Sequence, residues 1–162
     1  QLGPWKGFSD LISAVHIVSQ KQPVRLSIFG EGAQRAELQA LIDQLGMSES
    51  IALEGHVTNP LKYFAHTNVF VLSSLLEGMP NVLIEAMMAG CTPVATDCPT
   101  GPREILESGR YGYLVPVQDP QALATGIESA LRDPVPAEVL AEAIKPFQED
   151  AVLAEHFRIL GI

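Results

Sequence analysis

Residues 69–96 read Val69-Phe70-Val71-Leu72-Ser73-Ser74-Leu75-Leu76-Glu77-Gly78-Met79-Pro80-Asn81-Val82-Leu83-Ile84-Glu85-Ala86-Met87-Met88-Ala89-Gly90-Cys91-Thr92-Pro93-Val94-Ala95-Thr96. Val69 to Leu72 is a short, wholly apolar run, the pattern of a strand buried on both faces. From Asn81 to Ala89 the apolar residues recur at helical spacing, and Gly90 supplies a C-terminal cap. Pro93 to Thr96 then reads as a second strand. Two buried strands joined through a helix run parallel with a right-handed crossover, so this stretch predicts an α/β domain.

The alternation extends both ways. Upstream, Leu11, Ile12, Val15 and Val18 share one helical face, with Ser9 and Asp10 as starters. Val24 to Phe29 reads as a strand ending at Gly30, and Leu38, Leu41, Ile42 and Leu45 as a helix that Gly46 caps. Ile51 to Leu53 predicts a short strand and Pro60 to His66 a short helix. Downstream, Gly112 to Val115 reads as the last strand, and Asp119-Pro120 opens a helix that continues to Leu131. Two further helices are expected near Pro136 to Ile144 and Ala151 to Leu160, with Pro134 and Pro136 as the only joint. The fold expected is a Rossmann-like, doubly wound parallel β-sheet flanked by helices.

The 162 residues suit one domain, long enough to bury roughly two-thirds of the unfolded surface without a disulfide or metal staple. With 47% hydrophobic and 18% charged residues and no apolar run near ~20 residues, the composition argues against a membrane span. A net charge of −9 argues against nucleic acid or anionic lipid as a partner, since both require a cationic face. Cys91 and Cys98 form no CxxC pair and have no His cluster beside them, so they read as reduced, cytosolic thiols buried near a strand end. Gln1 is not an initiator Met and no signal-like stretch opens the chain, so the start is expected to lie inside a longer protein.

In an open parallel sheet, ligands bind where strand ends feed helix N-termini. Gly30-Glu31-Gly32-Ala33-Gln34-Arg35 follows one such strand but places Arg where a dinucleotide fingerprint has its third glycine, which disfavours NAD. Gly30 and Gly32 can be read as a ligand contact or simply as a tight turn. The loop after Leu72 carries more chemistry, because Glu77 and Glu85 stand eight apart, one in the loop and one a turn into the helix. A carboxylate accepts two strong hydrogen bonds from a vicinal diol, while Gly78 lets a ligand approach the backbone. A sugar nucleotide offers hydroxyls on both sides of its diphosphate.

Glu77 to Glu85, with Gly78, Pro80 and Glu85-Ala86-Met87, resembles the signature of glycosyltransferase family 4, retaining enzymes of two-lobed GT-B architecture that use nucleotide-sugar donors. Lys6-Gly7-Phe8, Gly30-Glu31-Gly32, Gly55-His56-Val57, Val94-Ala95-Thr96-Asp97 and Gly112-Tyr113-Leu114-Val115-Pro116 continue the likeness in order. The resemblance implies that residues 1–162 are a single donor-binding C-terminal lobe whose N-terminal acceptor lobe lies outside the chain. It assigns Lys6 to the donor diphosphate, Glu77 to the transferred sugar and Glu85 to the ribose. The backbone running from Gly78 through Met79 and Pro80 to Asn81 is assigned to sugar and phosphate, the Val57 backbone to the base, and Gly30 and Gly32 to the donor turn. For Lys6 the alternative is a solvated surface lysine, and for Glu85 an ordinary first-turn helix acid.

Asp-x-Asp is absent, so a metal-independent enzyme without a cofactor is expected. Asp97-Cys98-Pro99-Thr100-Gly101-Pro102-Arg103-Glu104 departs from the commoner Gly-Gly turn and resembles a subgroup that builds bacterial surface polysaccharides and lipid-linked oligosaccharides. That leans the donor towards a UDP-hexose or UDP-N-acetylhexosamine and the acceptor towards a glycan or lipid-linked sugar. Arg103 is read either as approaching the donor or as anchoring the turn through Glu104 or Glu107. The family's Arg upstream of Lys6 falls outside the chain, so donor binding without turnover is expected. The full-length enzyme is expected in the cytoplasm, with any peripheral membrane attachment made through the other lobe. Other readings are a different GT-B enzyme such as a nucleotide-sugar epimerase, a non-catalytic nucleotide-sugar-binding module, and a structural domain without a ligand.

Overall fold

The computed structural model describes residues 1–160, and side chains except at 154–157 and 160. Among the described residues five strands alternate with helices: α1 (Phe8–Ser19), β1 (Leu26–Phe29), α2 (Arg35–Gln44), β2 (Ile51–Gly55), α3 (Leu61–Phe64), β3 (Val69–Leu72), α4 (Asn81–Met88), β4 (Thr92–Thr96), α5 (Pro102–Ile105), β5 (Tyr113–Val115), α6 (Pro120–Arg132), α7 (Ala137–Ile144) and α8 (Glu149–Leu160). All strand pairing is parallel, in the order β1-β2 and β3-β4-β5.

Both faces of the strands are covered. Along β3, Val69 and Val71 join one apolar cluster while Phe70 and Leu72 join another. Val94 and Ala95 on β4 divide in the same way, as the two-residue period of a strand requires. The first cluster seats α1, α2 and α6 through Leu11, Ile12, Val15, Leu38, Ile42, Leu123 and Ile127. The second seats α4, α5 and α7 through Leu83, Met87, Ile105 and Leu140. This is the doubly wound arrangement expected from the alternation.

Several boundaries moved. The strand expected from Val24 begins at Leu26, where pairing with Ile51 starts. The strand expected to end at Leu53 runs on to Gly55, because Gly55 still pairs with Phe29 across an irregularity in register. The helix expected over Pro60 to His66 contracts to Leu61–Phe64, leaving His66 beyond its end. Ser9 does not start α1: the helix begins at Phe8 behind Gly7, which lies in the left-handed region. The Pro134 to Pro136 joint is tied down, since the Val135 amide donates to the Thr92 hydroxyl at 3.0 Å. His16 is a half-buried residue of α1.

The single sheet expected is divided into two, because among the described residues no strand pairs with the other edge of β1 or of β3. The opening residues cross the C-terminal ends of both sheets. The Leu2 amide donates to the Glu31 carbonyl just after β1, and the Leu75 amide donates to the Trp5 carbonyl just after β3. Fully buried Leu2 anchors that crossing in the first core.

Candidate functional site

The site forms where the opening segment meets the loop between β3 and α4. Gly7 faces Ser73 so closely that a β-carbon there would lie 2.0 Å from the Ser73 carbonyl oxygen. Its φ of 61° belongs to the left-handed region, so glycine is demanded twice over. Ser73 also donates through Oγ to the Lys6 carbonyl at 2.8 Å. These contacts fix the Lys6 backbone and deliver its side chain to Glu77.

Lys6 Nζ lies 2.6 Å from Glu77 Oε1, and Ser74 Oγ donates to the same oxygen at 2.6 Å. The Glu77 side chain is only 12% exposed while that of Lys6 is 37% exposed, so the carboxylate is sheltered and the ammonium borders solvent. Ser74 itself is buried, and Thr96 on β4 places its hydroxyl 2.5 Å from the Ser74 carbonyl. The result is a carboxylate held by two partners beside a cation that can turn outward, an arrangement suited to hydroxyls and to an anionic group together.

Helix α4 starts at Asn81, directly after this loop. Leu83, Ile84, Ala86 and Met87 are buried, leaving Asn81, Glu85 and Met88 on the outer stripe. Glu85 is half-buried one turn from Asn81 and makes no side-chain hydrogen bond or ion pair with a described residue. Met79 is 60% exposed and Leu76 53%, so the loop presents apolar side chains around the Lys6–Glu77 pair.

The remaining expected residues lie apart from that pair. Gly30 and Gly32 receive the opening segment: a β-carbon on Gly32 would lie 2.2 Å from the Leu2 carbonyl oxygen, and one on Gly30 3.1 Å from the Gln1 nitrogen. These approaches give both glycines an architectural role. Val57 stands past the end of β2, a strand of the sheet that does not contain β3. Arg35, in the place of a third glycine, reaches Glu31 at 3.0 Å and the Leu53 carbonyl at 2.9 Å.

Arg103 anchors its turn, but through Asp97 instead of Glu104 or Glu107: Nε donates to Asp97 Oδ1 at 3.0 Å and Nη2 to Oδ2. Glu107 is taken by Arg110 at 3.0 Å. Beyond β4 and β5 opens a cavity of about 410 Å³ bordered by Asp97, Arg103, Ser108 and Pro116 and not lined by Lys6 or Glu77. Burial raises the Cys98 thiol above its ordinary range, and the Glu77 charge adds to that rise. Cys91 is likewise buried and raised by desolvation, and both cysteines are free, as read. No group of three or more His, Cys, Asp or Glu side chains converges among the described residues, and no described helix is long and apolar enough to cross a membrane.

Sequence reasoning missed Ser74, Thr96, Thr100 and Gly101, all of which touch the Glu77 loop. Ser74 alone left a signal, three residues ahead of Glu77. The others meet the loop only through the fold.

Residues 1–147 match the family described as glycosyl transferases group 1. The chain is 38% identical over 113 residues to the N-acetylgalactosamine-N,N'-diacetylbacillosaminyl-diphospho-undecaprenol 4-alpha-N-acetylgalactosaminyltransferase of Campylobacter jejuni, covering 70% of this chain and 31% of that protein. It is 30% identical over 161 residues to the lipopolysaccharide core biosynthesis glycosyltransferase LpsE of Rhizobium meliloti, covering 96% of this chain and 46% of that one. Among solved structures, Anabaena Alr3699/HepE in complex with UDP superimposes with a TM-score of 0.88 at 25% identity, covering 99% of this chain and 46% of that one. The chain therefore spans less than half the length of each of these proteins. Matching the family over residues 1–147 and sharing the GT-B lobe fold of the HepE structure, the chain belongs to the glycosyl transferases of group 1.

Proposed function

We propose that residues 1–162 are the donor-binding C-terminal lobe of a retaining family 4 glycosyltransferase. The donor is a UDP-hexose or UDP-N-acetylhexosamine, and the acceptor is a glycan or lipid-linked sugar met by another lobe. The observation that carries this reading is the Lys6–Glu77 contact of 2.6 Å at the head of a loop that leads into Glu85. The UDP held by the HepE structure and the lipid-linked and lipopolysaccharide substrates in the relatives' names support the same choice.

Cleavage of a sugar–phosphate bond leaves a nucleoside diphosphate with growing negative charge, which a cation and oriented amides stabilise. Lys6 supplies the cation, turning from Glu77 to the diphosphate. Glu77, still held by Ser74, accepts from the sugar hydroxyls and favours positive charge at the anomeric carbon. Glu85 accepts from the ribose diol, and amides of the Gly78 to Asn81 loop meet sugar and phosphate. The reaction runs without a metal ion, in the cytoplasm, with any membrane attachment made through the other lobe. This lobe alone binds donor and does not turn over.

The test is a titration of the chain with UDP, GDP, ADP and their sugar conjugates by NMR, alongside Glu85→Ala. Saturable binding of UDP, weakened about tenfold or more by Glu85→Ala through loss of a charged acceptor, is expected. Preference for another base would overturn the donor assignment, and a Glu85→Ala variant that binds like the parent would remove Glu85 from the site.

A further inference from the structure

The Asp97 to Arg103 loop takes no part in the reading above, yet it bears directly on the Glu77 loop. Thr100 Oγ1 lies 2.6 Å from the Glu77 carbonyl oxygen, with the Pro99 carbonyl 2.7 Å away as the alternative acceptor. Gly101 packs so tightly behind the next residues that a β-carbon there would lie 2.5 Å from both the Gly78 carbonyl oxygen and Pro80 Cδ. Its φ of 92° excludes a side chain independently. Thr100 has a φ of 62°, unusual for a β-branched residue and maintained only where the surroundings impose it.

The surroundings here are stiff. The Asp97 amide donates to the Val115 carbonyl at 2.7 Å, which ties the loop to β5. Arg103 closes the loop on Asp97 through two hydrogen bonds, and the Ile105 amide donates to the Gly101 carbonyl at 2.9 Å to begin α5. Glu77 is consequently held at both ends: its carboxylate by Lys6 and Ser74, its carbonyl by Thr100. Cys98 lies close enough for the Glu77 charge to be felt at its thiol.

We propose that Thr100 and Gly101 are positioning residues for the donor site, a backstop that sets how far the Glu77–Pro80 loop stands towards the transferred sugar. The inference rests on the donor-site reading. Displacements near 1 Å in such a loop are enough to spoil alignment with a bound sugar. A backstop behind Glu77 and Gly78 acts on sugar contacts before it acts on the base.

Calorimetric titration of the parent chain, Thr100→Val, Thr100→Ser and Gly101→Ala with UDP, UDP-glucose and UDP-N-acetylglucosamine tests this. Thr100→Val keeps the branched shape and loses the donor. It is expected to weaken the tighter of the two UDP-sugars about fivefold, the worth of one neutral hydrogen bond, while UDP alone changes less than about twofold. Thr100→Ser is expected to restore the parent affinity, and Gly101→Ala to cost more than Thr100→Val. Thr100→Val keeps the proposal open to refutation if Gly101→Ala does not fold. Equal affinity of the parent and Thr100→Val for the UDP-sugar overturns the backstop, as does equal loss of UDP and UDP-sugar with a lowered Tm. If the parent binds none of the three ligands, the donor-site reading falls and the backstop with it, whereas a binding parent matched by Thr100→Val sinks the backstop alone.

Discussion

Lys6→Met removes the cation from Glu77 while keeping an unbranched side chain of similar length. At the observed 2.6 Å, Coulomb's law gives about 1.6 kcal/mol in water and about 6 kcal/mol at an effective dielectric near 20. Glu77 sits towards the sheltered end of that range and Lys6 towards the wet end, being 12% and 37% exposed. Ordering the lysine and desolvating the carboxylate offset most of the attraction, which leaves a net cost of about 2 kcal/mol for Lys6→Met. At roughly 2–4 °C per kcal/mol for a chain of this size, Tm should fall by about 4–8 °C. Glu77→Gln still accepts from Ser74 and should cost about 1 kcal/mol. The double variant then shows a coupling of about 1 kcal/mol in a chemical-denaturation cycle. A coupling below about 0.3 kcal/mol, the scatter expected of independent sites, would refute the claim that Lys6 and Glu77 form an energetically coupled ion pair.

Gly7→Ala meets the Ser73 carbonyl at 2.0 Å in a left-handed backbone, so a loss of about 2–4 kcal/mol is expected by thermal unfolding; a change within about 0.5 kcal/mol would mean that the opening segment is not pinned to β3. Both thiols are buried and shifted upward, so their thiolates are scarce at pH 8: both should react with a disulfide reagent far more slowly in the folded chain than after guanidinium unfolds it, at a rate that rises with pH. Glu77→Gln removes one cause of the shift at Cys98 and none at Cys91, so it should speed Cys98 alone; equal acceleration of both would contradict that assignment.

The alternation of strands and helices was legible because its signals are local. Gly46 and Gly90 both lie in the left-handed region, and Asp119 Oδ1 accepts from the Ala122 amide at 2.8 Å as a capping residue should. Glu77 and Glu85 stood out because a loop and the helix after it are continuous in sequence. What escaped depends on distant partners. The start of α1 is decided by Gly7 against Ser73 and not by Ser9, a polar starter in a favourable place. Arg103 had acidic neighbours at 104 and 107, but the four-residue α5 and the turn before it point the guanidinium back to Asp97. The division of the sheet is equally invisible, since strand order is a property of pairing and not of any run of residues.

The long reach of the contacts around Glu77 also orders events in time. Lys6 and Glu77 are separated by 71 residues and Ser73 from the Lys6 carbonyl by 67, whereas β3 and β4 are joined across the short span of α4. Closing so large a loop costs chain entropy before any contact rewards it. The β3-α4-β4 unit therefore forms early, and the opening segment docks late, completing the cluster as one of the last steps of folding. The same segment is the first to come away in a partial opening, so hydrogen exchange at the Leu75 amide, which donates to Trp5, runs ahead of exchange within β4.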